Sequence, residues 1–165
     1  MRNHLLSEPI PNSIVMKYNI YAIGNMKTSP EAEIFWKYSK RIRSIELFEF
    51  VSKFSEENKK KEDESEKLLS MIKNNGKKIL LDQNGQNIDS YEFSSMLLNL
   101  ANDGCNKVNF IIGGSNGVSK ELKKSVDMML SFSKMTFPHI LARIILLEQI
   151  YRAETIILNH PYHKN

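Results

Sequence analysis

Cysteine is almost missing from this chain. The single Cys105 excludes an intrachain disulfide and any four-thiolate metal site within one protomer, and it fits a reducing compartment. Long hydrophobic runs are missing too. The nearest approach, residues 140–150, is broken by Arg143, Glu148 and Gln149, well short of the roughly 18 apolar residues that a membrane-spanning helix needs. Neither sign of charge dominates: 23 Lys and Arg against 19 Asp and Glu leave a net charge of +4, which permits a polyanionic partner without demanding one. Residues 1–15 contain two prolines and Glu8 but no apolar signal core and no Arg/Ser-rich amphipathic pattern. They read as a flexible extension rather than a targeting segment, with Met16 an alternative start. A cytoplasmic protein is expected. With 165 residues, 41% of them hydrophobic, the chain suits one compact domain, placed at 16–165.

What is there is a regular alternation. Residues 17–23, "KYNIYAI", predict a strand ending at Gly24, and Thr28-Ser29-Pro30-Glu31 predicts a capped helix start with the helix running to about Arg43. "SIELFEFV" at 44–51 predicts a second strand. The charge-rich stretch 53–67 balances its acids and lysines within "KKKEDESEK" and reads as a solvated loop leading into a helix that ends near Gly76. "KKILLD" at 77–82 is a buried strand, "QNGQ" a turn, 90–104 a helix with Ser90 as candidate cap, and "KVNFII" at 107–112 a further buried strand. A short helix over 119–128, an optional strand in "MLSFSKM" and a final helix at 138–153 complete the chain. Short apolar strands alternating with helices predict an α/β fold with a mainly parallel sheet flanked by helices.

Ligands of open parallel sheets bind beyond the carboxyl ends of the strands. "LLDQNG" (80–85), "FIIGGSNG" (110–117) and "SFSKMTFP" (131–138) supply three loops for that edge. Backbone groups of the first two, with Phe132, Met135 and Phe137 as apolar walls, would accept a flat nucleoside ring. The glycine stretch is neither G-x-G-x-x-G nor a P-loop with its lysine, so a plain strand-to-helix turn and an aromatic core remain the alternatives. On the last helix, His139 and Arg143 share the side at the helix start, where chemistry is expected, and Glu148 and Arg152 form an i,i+4 ion pair on the opposite side. His160 and His163 in "NHPYHKN" lack an acidic ligand nearby, so no metal is expected. Docking into an active site and a frayed terminus are both open for the tail.

"FIIGGSNGVSKEL", "LSFSKMTFPHILARIILLEQIYRA" and "NHPYHK", in this order, closely resemble the RlmH (YbeA-like) family of large-subunit ribosomal RNA methyltransferases, a branch of the SPOUT superfamily. The resemblance covers about residues 16–165 and is weakest over 52–67. It implies a deep C-terminal trefoil knot, which the rarity of knots would otherwise argue against. It implies a homodimer with the active site between subunits, and S-adenosylmethionine as methyl donor with S-adenosylhomocysteine as product. Carried onto this sequence, the cofactor contacts fall on Leu81, Gly113, Phe132, Ser133, Lys134, Met135, Thr136 and Phe137, with Gly114 and Gly117 shaping the same turn. The implied reaction is methylation of N3 of a pseudouridine in a large-subunit RNA hairpin loop, with the assembled ribosome as substrate. A cation, Arg143 or Arg152, would stabilise charge on the target base, and His139, Tyr162 or His163 could take the proton. Arg152, His160 and Lys164 are expected to position RNA. A relative acting on another RNA, and a catalytically silent knot protein, are the rival readings.

Overall fold

The computed structural model describes residues 16–72 and 75–163. Five strands, β1 (Lys17–Ile23), β2 (Ile45–Phe50), β3 (Lys77–Asn87), β4 (Lys107–Ile112) and β5 (Met128–Ser131), alternate with five helices, α1 (Pro30–Ser39), α2 (Glu57–Met71), α3 (Ser90–Asn102), α4 (Lys120–Ser125) and α5 (His139–Ile157). The strands form one sheet in the order β2-β1-β4-β3-β5, and every pairing is parallel. The expected α/β fold with a parallel sheet is therefore what the chain adopts.

Both faces of the sheet are covered because strand side chains alternate in direction. Tyr18, Ile20 and Ala22 of β1 join Val108, Phe110 and Ile112 of β4 in a core with Phe35 of α1, Leu97 of α3 and Leu146, Leu147 and Ile150 of α5. The intervening Tyr21, Ile23, Leu80 and Ile111 face the other way, onto Leu68 of α2 and Leu122 of α4. This two-sided burial is why the strands read as near-continuous apolar runs.

Several local expectations are corrected. Most of the charge-rich stretch is not a loop: α2 starts at Glu57 and buries Glu64, Ser65 and Leu68. Lys and Glu are good helix formers, and a helix needs only one narrow buried stripe, so a neutral run of charges hides the helix as easily as it marks a loop. "QNGQ" is not a free turn either. β3 continues to Asn87, and after a register shift between Leu81 and Gln86 it pairs again with Leu130 and Ser131 of β5. Gly85 makes this approach feasible, since a Cβ there would sit 2.6 Å from the carbonyl carbon of Leu130. The cap of α3 is Asp89, not Ser90, in a reciprocal capping box with Glu92, while the Ser90 hydroxyl donates to Gln149 Oε1 at 2.6 Å. α1 stops at Ser39 rather than Arg43, α4 at Ser125 rather than Met128, and α5 runs four residues past Ala153 to Ile157. The end of the α2 region near Asn74 lies partly outside the described residues, as does the extension 1–15.

One connection decides where the site lies. β5 is an edge strand, yet α5 begins against the far side of β3 and β4, at the carboxyl end of β1. His139 Nε2 and Arg143 Nη2 lie 2.9 and 3.3 Å from where a Cβ on Gly24 would be. Residues 132–138 must therefore cross the carboxyl ends of β3 and β4.

Candidate functional site

That crossing roofs a cleft of about 840 Å³ at the carboxyl edge of the sheet, lined by the ends of β3, β4 and β5 and by the start of α5. β4 lies in the middle of the sheet, so its exit loop forms the floor. Gly117 N–H donates to Gly114 O at 3.0 Å, closing a tight turn, and Gly117 adopts φ +72°, a conformation costly for a residue with a Cβ. The loop then ends on Ser119, whose hydroxyl caps α4 by accepting from Leu122 N–H at 3.2 Å.

The structure brings most of the expected cofactor residues to this cleft. Leu81, Gly113, Gly114, Gly117, Phe132, Ser133, Met135, Thr136 and Phe137 line it, together with His139. Lys134 belongs to the same crossing but is not among the lining residues. Phe132 serves two readings at once, because it also packs on the core beneath, whereas Met135 is 72% exposed. Two charged lining residues form a pair that the sequence does not announce. Asp82 and Lys123 meet across the cleft wall at 2.8 Å. Burial pushes the Asp82 carboxyl up, but hydrogen bonds from Lys123 and from Asn84 outweigh it and hold the group below the ordinary range. Nothing in the spacing of positions 82 and 123 announces the pair; only the fold does.

His139 and Arg143 share the start of α5 but not the same surroundings. The His139 imidazole lines the cleft, and burial, then the positive charges of Arg143 and Lys60, keep its pKa below the ordinary value. Its neutral, proton-accepting form therefore prevails near neutral pH. Arg143 is fully buried. Its Nη1 pairs with Glu49 Oε1, and its Nη2 donates to Ile23 O at 2.6 Å and Gly24 O at 3.1 Å. The same Glu49 oxygen accepts Met26 N–H at 2.8 Å. Desolvation draws the Arg143 pKa down and Glu49 works against it. The expected cation for the target base is thus spent on bolting α5 to the ends of β1 and β2, and it does not line the cleft.

The tail residues gather elsewhere, on the distal half of α5. Arg152 donates to Glu148 Oε1 through Nη2 at 2.5 Å and Nε at 3.0 Å, the ion pair that the i,i+4 spacing predicts. Arg152 Nη1 lies 3.0 Å from His163 Nδ1, and the Tyr162 hydroxyl donates to Glu148 Oε1 at 3.2 Å. His163 stands edge-on to Tyr91 with ring centroids 4.7 Å apart, and its Nε2 is buried with no hydrogen-bond partner among the described residues. Burial, the Tyr38 hydroxyl and Glu148 drive the Tyr162 pKa well above the ordinary phenol value, so its hydroxyl is a donor rather than a base at neutral pH. His160 is exposed, and its Nδ1 accepts Tyr162 N–H at 3.2 Å. Lys164 lies outside the described residues. Arg152 lies thirteen positions along α5 from His139, about 20 Å of rise, so the tail cluster and the cleft are far apart.

Comparison with known proteins agrees with this geometry. A family described as "Predicted SPOUT methyltransferase" matches residues 16–163. A protein named ribosomal RNA large subunit methyltransferase H from Fusobacterium nucleatum is 47% identical over 156 residues, covering 90% of this chain and all of the relative. Relatives of the same name from Acholeplasma laidlawii and Ruminiclostridium cellulolyticum are 40% and 41% identical, each again over 90% of this chain and 100% of its own length. Among solved structures, a methylase family protein from Neisseria gonorrhoeae superposes with a TM-score of 0.51 at 12% identity, covering 88% of this chain and 86% of its own, a likeness of fold alone. With a parallel sheet, a cleft at its carboxyl edge built from the glycine loop and the crossing segment, and a match spanning almost the whole described chain, this protein belongs to the SPOUT methyltransferase family.

Proposed function

We propose that the protein transfers a methyl group from S-adenosylmethionine to large-subunit ribosomal RNA, at N3 of a pseudouridine in a hairpin loop of the assembled ribosome. The observation that carries this reading is the cleft itself: three loops at the carboxyl edge of a parallel sheet, meeting beneath residues 132–138. Its fit to the methyl donor rests on half-buried backbone at Gly113 and Gly114 that lines the cleft and is available for hydrogen bonding, apolar surface at Phe132 and Phe137 for a purine, and, behind the glycine loop, a buried carboxylate, Glu64, with no hydrogen-bond partner among the described residues. Family membership further implies the C-terminal trefoil knot.

The bound donor supplies an electrophilic sulfonium methyl, so the chain's own residues must align an in-line attack and help the imide nitrogen lose its proton. His139, neutral and at the cleft, is placed to accept that proton. Arg152, ion-paired with Glu148, forms with Tyr162 and His163 a hydrogen-bonding cluster suited to a target base or its phosphate. Because that cluster stands about 20 Å from its own cleft, it serves a partner protomer's cleft in a homodimer. Exposed Leu141 on α5, Leu158 just past its end, and Ile34 and Trp36 on α1 supply apolar surface for such pairing. The modest net charge of +4 agrees with a substrate recognised as a shaped ribosomal surface rather than as free RNA.

The test is methyl transfer from labelled S-adenosylmethionine to assembled ribosomes, free large subunits and deproteinised RNA, all from cells lacking the enzyme. Label should enter assembled ribosomes and map to N3 of a pseudouridine. Donor binding without incorporation into any ribosomal RNA would leave the cleft reading standing and remove the substrate. In the same assay, kcat/KM should rise with pH through a pKa below the ordinary 6.5 of histidine and then level off, since only neutral His139 accepts a proton. His139→Gln should lower kcat about 100-fold and abolish that rise. An unchanged profile in the variant would assign the proton to water or to another group.

A further inference from the structure

Helix α2 carries an anomaly that the reaction outlined above does not use. Glu64 is only 2% exposed, and neither of its carboxylate oxygens has a hydrogen-bond partner among the described residues. The nearest cation is Lys60 Nζ, 4.0 Å from Oε1, on a side chain 36% exposed. An isolated buried carboxylate is costly unless something nearby compensates it. Burial pushes the Glu64 carboxyl up, and Lys60 offsets this in part.

Its position gives the group a purpose. Glu64 Oε2 lies 2.5 Å from where a Cβ on Gly114 would be, so the carboxylate rests on the underside of the loop whose upper side lines the cleft. The next residue anchors the far end of the same loop: Ser65 Oγ accepts Ser119 N–H at 2.8 Å and donates to Lys61 O at 2.7 Å. Among the other charged groups at the cleft, Asp82 and Lys123 neutralise each other at 2.8 Å. Glu64, offset only in part by the more exposed Lys60 4.0 Å away, is left as the buried carboxylate behind the Gly114 backbone that lines the cleft.

We propose that Glu64 is the counter-charge of the cofactor's sulfonium, a positioning residue that acts across the glycine loop to favour S-adenosylmethionine over S-adenosylhomocysteine. The inference rests on the methyl-donor reading of the cleft. Both molecules carry the same amino acid and adenosine groups and differ in the methyl and its positive charge, so a buried carboxylate separated from them by little more than one residue's backbone, with water excluded, distinguishes them. Once the methyl has left, the attraction goes with it, and the spent product is held less tightly than the donor.

Calorimetric titration of both ligands into the full-length wild type, Glu64→Gln, Glu64→Asp and Lys60→Met tests this. Glu64→Gln should weaken donor binding about tenfold and product binding no more than about twofold, raising KM for the donor more than it lowers kcat. Glu64→Asp, which keeps the charge, should retain the wild-type ratio of the two affinities within about twofold, even if both weaken. Lys60→Met, at a more exposed position, should shift the ratio about twofold the other way, and it keeps the proposal testable should Glu64→Gln fail to fold. Equal weakening of both ligands in Glu64→Gln would make Glu64 a mere support of the loop, and an unmoved ratio in all the variants would likewise overturn the proposal. Wild-type protein that binds neither ligand would instead overturn the methyl-donor reading, and this inference with it.

Discussion

Gly114→Val is expected to abolish S-adenosylmethionine binding, weakening it about 100-fold or more, while the protein stays folded. The reason is directional. A Cβ at position 114 would meet Glu64 Oε2 at 2.5 Å and Ile23 Cγ2 at 3.1 Å, and behind those atoms stand α2 and the interior strand β1. Neither can retreat, because Ile23 belongs to the buried core cluster on that face and close-packed interiors resist small displacements. The loop must then move the other way, into the cleft. Gly113→Val differs, since its Cβ would meet one close side-chain atom, Val118 Cγ1 at 2.5 Å, whereas a Cβ at position 114 meets two side chains from different elements at once. Calorimetry with the donor, beside a thermal melt, decides the matter. A folded Gly114→Val protein with wild-type affinity would remove the glycine loop from the site.

Arg143→Met is expected to cost about 3–5 kcal/mol of folding stability, lowering Tm on the order of 10 °C for a chain of this size. Methionine fills much of the volume but cannot serve Ile23 O and Gly24 O, which Arg143 satisfies at 2.6 and 3.1 Å. It also leaves Glu49 without its ion pair. Carbonyls orphaned in a buried setting carry their desolvation penalty in full. Denaturant unfolding measures the loss, and methyl transfer per folded molecule measures what remains. A stable Arg143→Met protein with collapsed kcat would return Arg143 to the catalytic role that its place beside His139 implies in the sequence. A destabilised protein with an intact turnover number would confirm the bolt.

Much of this molecule was legible before any coordinates. β1 and β4 stand where the sequence puts them, because burial on both faces leaves an unmistakable apolar run, and the edge strand β2 stands where its aromatic and β-branched residues put it. The binding edge was legible too, since three strand exits carrying "LLDQNG", "GGSNG" and "SFSKMTFP" can converge only at the carboxyl ends of parallel strands. Errors arose where local composition is ambiguous. The lysines and glutamates of α2 suit a helix and a solvated loop equally, and the polar "QNGQ" conceals a strand whose partner, β5, lies more than forty residues away.

The sequence by itself determined the layered α/β fold, the glycine loop and the family resemblance, because these rest on short-range patterns and contiguous motifs. Only the tertiary structure decided what each charge does. Arg143 and His139 are neighbours on one helix face, yet one is locked to Glu49 and the other opens to the cleft. Asp82 finds Lys123, and Glu64, one acid in a run of them, is the one carried beneath Gly114. A charge's role depends on its solvation and on partners brought from distant parts of the chain, and those are fixed by packing, not by its neighbours in sequence.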